Sequence, residues 1–286
     1  MSKFTNKIDF CVLATVRKAN PNGDPLNGNS PREDFEGHGE ISDVCIKRKI
    51  RNRLQDMGEE IFVQSDDRCQ DGIRSLSERA RSCQELAEAL KAKDRKAYAE
   101  AACAKWIDVR SFGQVFAFKD GNVSVGVRGP VSIQTGVSVS PVEIMEVQIT
   151  KSTNSEPSKE GKKSSDTMGT KHRVEFGLYR INGSINHQLA EKTGFTDEDA
   201  EKIKEALQTL FENDASSARP EGSMEVCRVY WWRHNCAMGQ YSSAKVHRSL
   251  EIKEKEDLKH TPSCFEDYDV VLHNLEGLEP EIYEGI

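Results

Sequence analysis

Residues 8–17, I-D-F-C-V-L-A-T-V-R, decide the fold, together with N-P-N-G-D-P-L-N-G-N-S-P at 20–31. In the first stretch Ile8, Phe10, Val12, Ala14 and Val16 alternate with Asp9, Cys11, Leu13, Thr15 and Arg17. An extended segment with apolar side chains on both faces is a central strand. The second stretch is dense in Pro, Gly, Asn and Asp, which break both ladders and helices, and reads as loop. Ser42 then N-caps a helix to about Leu54, with Ile46, Ile50, Leu54 and Met57 on one face and Gly58 at its end.

Working outward, residues 75–105 are rich in Ala, Glu, Lys and Arg and free of Gly and Pro, which predicts helices with a break near Asp94. From 106 to 150 the texture turns to β, and Met145, Val147 and Ile149 mark a strand at 142–150. Residues 151–172 are polar and predict an exposed loop or the end of a long hairpin. A strand follows at 173–182. Thr196 and Asp199 open a helix through Asn213, and V-C-R-V-Y-W-W at 226–232 is the last strong strand. The order β, α, insertion, β, β, α, β gives an α+β fold on the ferredoxin-like plan, which is also that of RNA-recognition domains.

The 286 residues carry a net charge of -7 and include no apolar run near the roughly 20 residues of a membrane helix. With no secretory signal at its start, the chain is expected in the cytosol, without a membrane partner. Its eight cysteines form no C-x-x-C pair and read as reduced, mostly structural thiols. The acid is segregated. Residues 251–286 hold eleven acids against three lysines, and 193–225 nine against three basic residues. The other 217 residues have 34 basic and 27 acidic side chains, which restores the basic balance a nucleic-acid binder needs.

Basic groups rim the 42–54 helix: Lys47 and Arg51 along one edge of its apolar stripe, Lys49 and Arg53 along the other, Arg48 behind. Such a helix is either a phosphate tracker or a solvated surface. In the 20–31 loop Asn20, Asn22, Asn27 and Asn29 can donate to phosphate or 2′-hydroxyl oxygens, or simply make turns. Asp24, with Asp34 nearby, is a metal ligand, a general base or a turn-maker. Gly161-Lys162-Lys163-Ser164 lacks the upstream glycine of a phosphate-binding loop and reads as a basic hairpin tip. His234 and Cys236 with Cys227 lack a second ligand pair and read as core rather than zinc. No G-x-S-x-G is present. Tyr230, Trp231 and Trp232 alternate across a strand, so at least one belongs to the core.

Taken together, the N-P-N-G-D-P loop, G-H-G-E-I-S-D-V-C-I-K-R-K-I-R-N-R-L, D-V-R-S-F-G and R-G-P-V-S-I-Q-T-G-V-S resemble one family along essentially the whole chain. It is the backbone subunit of the type I-C CRISPR Cascade complex, in the RAMP superfamily. The resemblance implies an RRM-like palm, a helical fingers insertion and an extended β-hairpin thumb. On this chain the palm's first half is 1–58, the fingers 59–105, a palm β region 106–149, the thumb 150–172, the palm's second half 173–250 and an acidic C-terminal segment 251–286.

It further implies copies stacked in a filament along a CRISPR guide RNA, capped by other Cascade subunits, with target DNA pairing to the guide. No cofactor, metal or catalysis is implied. The implied guide contacts are Asn20 and Asn22, then Lys47, Arg48 and Arg51, then Arg110, Arg128 and Gln134, and at the thumb Met168, His172 and Arg173. In type III relatives an aspartate after the first strand cuts target RNA. Asp24 or Asp34 stands in comparable territory, which leaves a metal-dependent endoribonuclease as the alternative.

Overall fold

A computed structural model describes residues 2–118, 124–150 and 168–285. Strand β1 (Ile8–Ala19) is buried from Ile8 through Val16, as two apolar faces require. A loop with the short strands β2 (Gly23–Asp24) and β3 (Ser30–Pro31), then β4 (His38–Ile41), leads to helix α1 (Asp43–Asp56). Ser42 caps α1 by accepting from the Cys45 amide, and Ile46, Ile50 and Leu54 are buried at helical spacing.

The insertion holds α2 (Leu76–Ser82), α3 (Gln84–Lys91), α4 (Arg95–Lys105), α5 (Ile107–Phe112) and a hairpin of β5 (Gly113–Phe116) and β6 (Val125–Arg128). Asp94 caps α4 through the Lys96 and Ala97 amides, which is the break expected near that residue. The D-V-R-S-F-G block, expected in a β region, is helical. Ile107, just before the block, and Val109 within it face different cores, which a short helix between two packed modules allows and a strand end would not.

The chain continues through β7 (Val131–Ile133), β8 (Gly136–Pro141), β9 (Ile144–Thr150), the 18-residue β10 (Met168–Ile185), α6 (His187–Thr193), α7 (Asp197–Gln208) and β11 (Met224–Arg233). It ends with α8 (Ser243–Arg248), the β12 (Leu250–Glu254) and β13 (Tyr268–Leu272) hairpin, and β14 (Glu281–Glu284). The large sheet is antiparallel, in the order β14-β11-β1-β10-β8-β4, with β7 and β9 also on β10. The 142–150 strand differs from its expected place in the palm. Among the described residues β9 pairs with residues 168–174 of β10, which apart from Val174 lie beyond the part of β10 that β1 pairs, and is mostly exposed. With β10 it therefore extends past the end of β1, and β8 takes the place beside β10 further along. Residues 151–167, with the Gly161–Ser164 tip and most of the expected thumb, lie outside the described residues.

Helices α1 and α7 cover one face of the sheet, where Phe10 stacks on Trp231 at 5.5 Å and 18°. The other face, with Cys11, Leu13, Leu178, Tyr230 and Trp232, is covered by α8, the β12–β13 hairpin and Leu275 and Leu278. All three aromatics of Y-W-W are therefore core: Trp231 lies under α1 and α7, and Tyr230 and Trp232 lie under the C-terminal elements that fold back over the other face. Lys18 sits at φ 51, a left-handed conformation that costs about 1–2 kcal/mol away from glycine. The flip returns Ala19 to the α1 side, three residues after Val16 on that same side.

Candidate nucleic-acid interface

Three segments far apart in sequence converge where β1 ends. The 20–31 loop leaves β1, the root of the outgoing hairpin pairs Val174 with Ala19, and the Asn20 amide donates to the Ala218 carbonyl, which brings in the 213–223 loop. Asn20 is only 3% exposed and donates its side-chain amide to the Asn29 carbonyl at 2.6 Å. Asn22 accepts from the Ser42 amide at 2.9 Å and the Ser42 hydroxyl at 2.8 Å, which locks the loop to the start of α1. Gly28, at φ 57, backs onto the His172 ring, where an added Cβ would lie 3.9 Å from Nε2.

Cations gather at this junction. Lys171 donates to the Ser217 carbonyl. Arg173 is half-buried, its Nε without a hydrogen-bond partner among the described residues and its Nη2 3.9 Å from Glu175. Arg219 holds Asp214 at 3.0 Å, and Asp214 also takes buried Lys49 of α1. Burial pushes the Lys49 ammonium down, against the pull of Asp214. Arg32 pairs with Asp24 at 3.3 Å. Met168 stands 63% exposed on the hairpin arm, with Met145 and Ile149 on the opposing arm.

Both candidate acids make turns. Asp24 accepts from the Leu26 amide at 3.1 Å and from Arg32. Asp34 accepts from the Glu36 amide at 2.8 Å and the His38 amide at 2.9 Å, and the His38 amide above all holds its carboxyl below the ordinary range. Among the described residues no group of three or more His, Cys, Asp or Glu is disposed to hold a metal ion. His234 belongs to the core: its Nε2 meets buried Asp9 at 2.8 Å, and its Nδ1 accepts from the Gln240 amide. All eight cysteines are free thiols.

The remaining basic candidates sit elsewhere and hold protein groups. Arg48 donates to the Val63 carbonyl at 2.7 Å. Arg51 donates to buried Asp108 at 2.9 Å and lies 5.0 Å over the Phe112 ring, while Asp108 also accepts from the Phe62 and Val63 amides. Arg110 grips Asp199 with two bonds of 2.7 and 3.0 Å. Asp199 in turn closes the capping box of α7 with Thr196. These three guanidinium groups fasten the helical insertion to α1 and α7. Lys47 pairs with Asp43 at 2.9 Å one turn away on α1.

Arg128 is exposed on β6, without an ion-pair partner among the described residues. Gln134 accepts from Asn182 at 3.5 Å. Nine residues of β10 separate Asn182 from Arg173, about 30 Å at strand rise. The candidates therefore form two groups, one at the hairpin root and one beside the insertion. Sequence reading missed Lys171, Arg32, Arg219 and the 213–223 loop, which only strand pairing brings to the site.

The family model for CRISPR-associated protein Cas7 matches residues 6–273. This chain belongs to the Cas7 family. A relative described as CRISPR-associated protein Cas7, from Haloferax volcanii, is 24% identical over 97% of this chain and 85% of its own length. Among solved structures, a chain of a "CRISPR RNA-guided surveillance complex, pre-nicking" is 16% identical over 79% of this chain and 78% of its own, with a TM-score of 0.48. Another, from a "CRISPR RNA-guided surveillance complex", is 14% identical over 79% of this chain and 68% of its own, with a TM-score of 0.38. No described helix is long and apolar enough to cross a membrane.

Proposed function

We propose that this Cas7-family chain is a backbone subunit of a type I-C Cascade complex. In this reading several copies line a CRISPR guide RNA, hold its sugar–phosphate backbone and leave its bases free to pair with target DNA. The observation that carries the proposal is the junction at the end of β1, where Lys171, His172, Arg173, Arg32 and Arg219 gather beside an asparagine-rich loop. Lysine, arginine and amide groups bind phosphates and sugars whatever the base sequence, as a protein serving many guides requires. Exposed Met168 suits a wedge between unstacked bases.

The strand order β11-β1-β10-β8 with two helical crossovers supports an RRM-like palm. The insertion then supplies fingers, and the β9–β10 hairpin a thumb. In this proposal Asn20 and Asn22 shape the loop, Arg48, Arg51 and Arg110 hold the fingers, and Lys47, Arg128 and Gln134 extend the RNA path from the junction. The subunit is proposed to be non-catalytic, since Asp24 and Asp34 place their oxygens on turn amides.

Coexpression with guide RNA tests the reading. The chain is expected to purify as an RNA-bound oligomer, and Lys171→Ala/Arg173→Ala to lose most of the RNA. RNA-free wild-type protein would overturn it. Chelator-sensitive cleavage of complementary RNA in Mg²⁺, lost in Asp24→Asn or Asp34→Asn, would overturn the non-catalytic part.

A further inference from the structure

Two surfaces of opposite charge are left without a role by the RNA-binding reading. The first is the turn between α3 and α4, K-A-K-D-R-K at 91–96, in which all six residues are exposed. Its one acid, Asp94, is taken up by the Lys96 and Ala97 amides as the cap of α4. Lys96 reaches Glu100 at 3.6 Å on the exposed helix surface, a contact of little strength in water. Arg95 and Lys96 also stand in the first turn of α4, where the helix dipole disfavours cations. The arrangement costs the fold something and leaves the turn strongly electropositive. Ala89 just before the turn and Tyr98 just after it are buried in the insertion's core, so the 91–96 turn is held in place on the insertion's surface.

The second surface is the turn E-D-F-E at 33–36, just before β4. Phe35 is 111% exposed, with its ring wholly in water. The turn is rigid: Asp34 takes the Glu36 and His38 amides, and the Gly37 amide donates to the Asp34 carbonyl at 3.2 Å. Glu33 and Glu36 flank the ring and are exposed. An ordered, fully exposed aromatic ring among acids has the form of a docking knob rather than of a loose loop.

The two surfaces belong to different parts of the fold. The knob precedes the helix by way of β4 and the Ser42 cap, whereas the insertion fastens to α1 through Arg48, Arg51 and the Gln55 amide, which donates to the Arg68 carbonyl. Two different, complementary patches on one chain make a heterologous, head-to-tail contact, which can repeat from copy to copy along an array. We propose that the acidic knob at 33–36 docks on the cationic 91–96 turn of the next copy. Phe35 covers the apolar stems of that turn, and the flanking glutamates meet its lysines and arginine. This rests on the proposal that copies stack along RNA and names the surfaces that join them.

The test uses the full chain on guide RNA, with stacked assemblies sized by mass photometry. A short RNA that holds one copy reports RNA binding separately. Lys93→Glu/Arg95→Glu and, independently, Glu33→Lys/Glu36→Lys are each expected to weaken copy-to-copy association about tenfold or more and to leave single-copy RNA affinity unchanged. Phe35→Ala should weaken it to a similar extent. All five side chains are exposed, so the variants fold. The four-residue charge swap in one chain should restore stacking, because every knob then meets a turn of opposite sign. Unaltered stacking in either reversal, or failure of the swap to rescue, would overturn the proposal. Loss of single-copy RNA affinity in Lys93→Glu/Arg95→Glu with stacking intact would instead make the turn a phosphate contact, and would also overturn it. Failure of the wild-type chain to bind the short RNA would refute the RNA-binding reading and is distinguishable from all of these.

Discussion

Replacing Asp108 by alanine should loosen the insertion from the sheet. The carboxylate is fully buried and accepts three bonds: from the Phe62 amide at 2.8 Å, the Val63 amide at 3.1 Å and Arg51 Nε at 2.9 Å. Its removal leaves the Phe62 amide unsatisfied in the core, at about 1–3 kcal/mol. It also leaves Arg51, nearly buried, without its counter-charge, and breaking such a pair from one side costs about 3–5 kcal/mol. The terms overlap, so about 4 kcal/mol is the expected total, a large part of the roughly 5–15 kcal/mol that holds a domain folded. Urea denaturation followed by circular dichroism measures the loss. Amide exchange should report it first at residues 60–64 and 107–112, while the ladder between β1 and β10 stays protected. A loss below about 1 kcal/mol, or exchange rising equally in that ladder, would refute the claim that Asp108 ties the insertion to α1.

Three further outcomes follow from the same geometry. Arg110→Gln should free α7 from the insertion and speed proteolysis between 59 and 105, since both its bonds to Asp199 are lost; an unchanged digestion pattern would count against the tie. His247 is buried with Nε2 3.1 Å from the Gly183 carbonyl, and burial lowers its pKa below 6.5. The unfolded chain therefore binds the extra proton first, and stability should fall as pH drops below about 6.5, with His247→Gln flattening that dependence. Buried Asp9 keeps its carboxyl below the ordinary 3.8 through His234, Ser243 and Lys7, against the cost of burial. Its contribution is present above pH 3.8 and lost as the solution is acidified further, so Asp9→Asn should remove part of the acid unfolding transition seen by circular dichroism.

Local patterning carried much of this fold. Strand β1 and helix α1 were legible because alternation and i, i+4 spacing lie within a few residues, and the α7 capping box was legible for the same reason. The partners of the charged groups were not. Arg51 meets a carboxylate 57 residues away and Arg110 one 89 residues away, so a rim of positive charge on α1 looked the same in sequence whether it faced phosphate or protein. The acidic reach of 193–225 likewise concealed Arg219 and Ser217, which join the basic junction only because Asn20 bonds to Ala218. The outward course of β9 was hidden because its alternating Met145, Val147 and Ile149 are apolar although largely exposed.

The central claim is that RNA phosphates are held first at the hairpin root and not by Arg51, whose guanidinium grips the insertion. Measuring RNA affinity against salt concentration tests it most directly. For single strands each lost phosphate contact lowers the slope of log affinity on log salt by about 0.7. Lys171→Ala/Arg173→Ala should flatten the slope by about 1.4, and Arg51→Gln should leave it unchanged. A flattened slope in Arg51→Gln with an unaltered one in the hairpin-root variant would contradict the account.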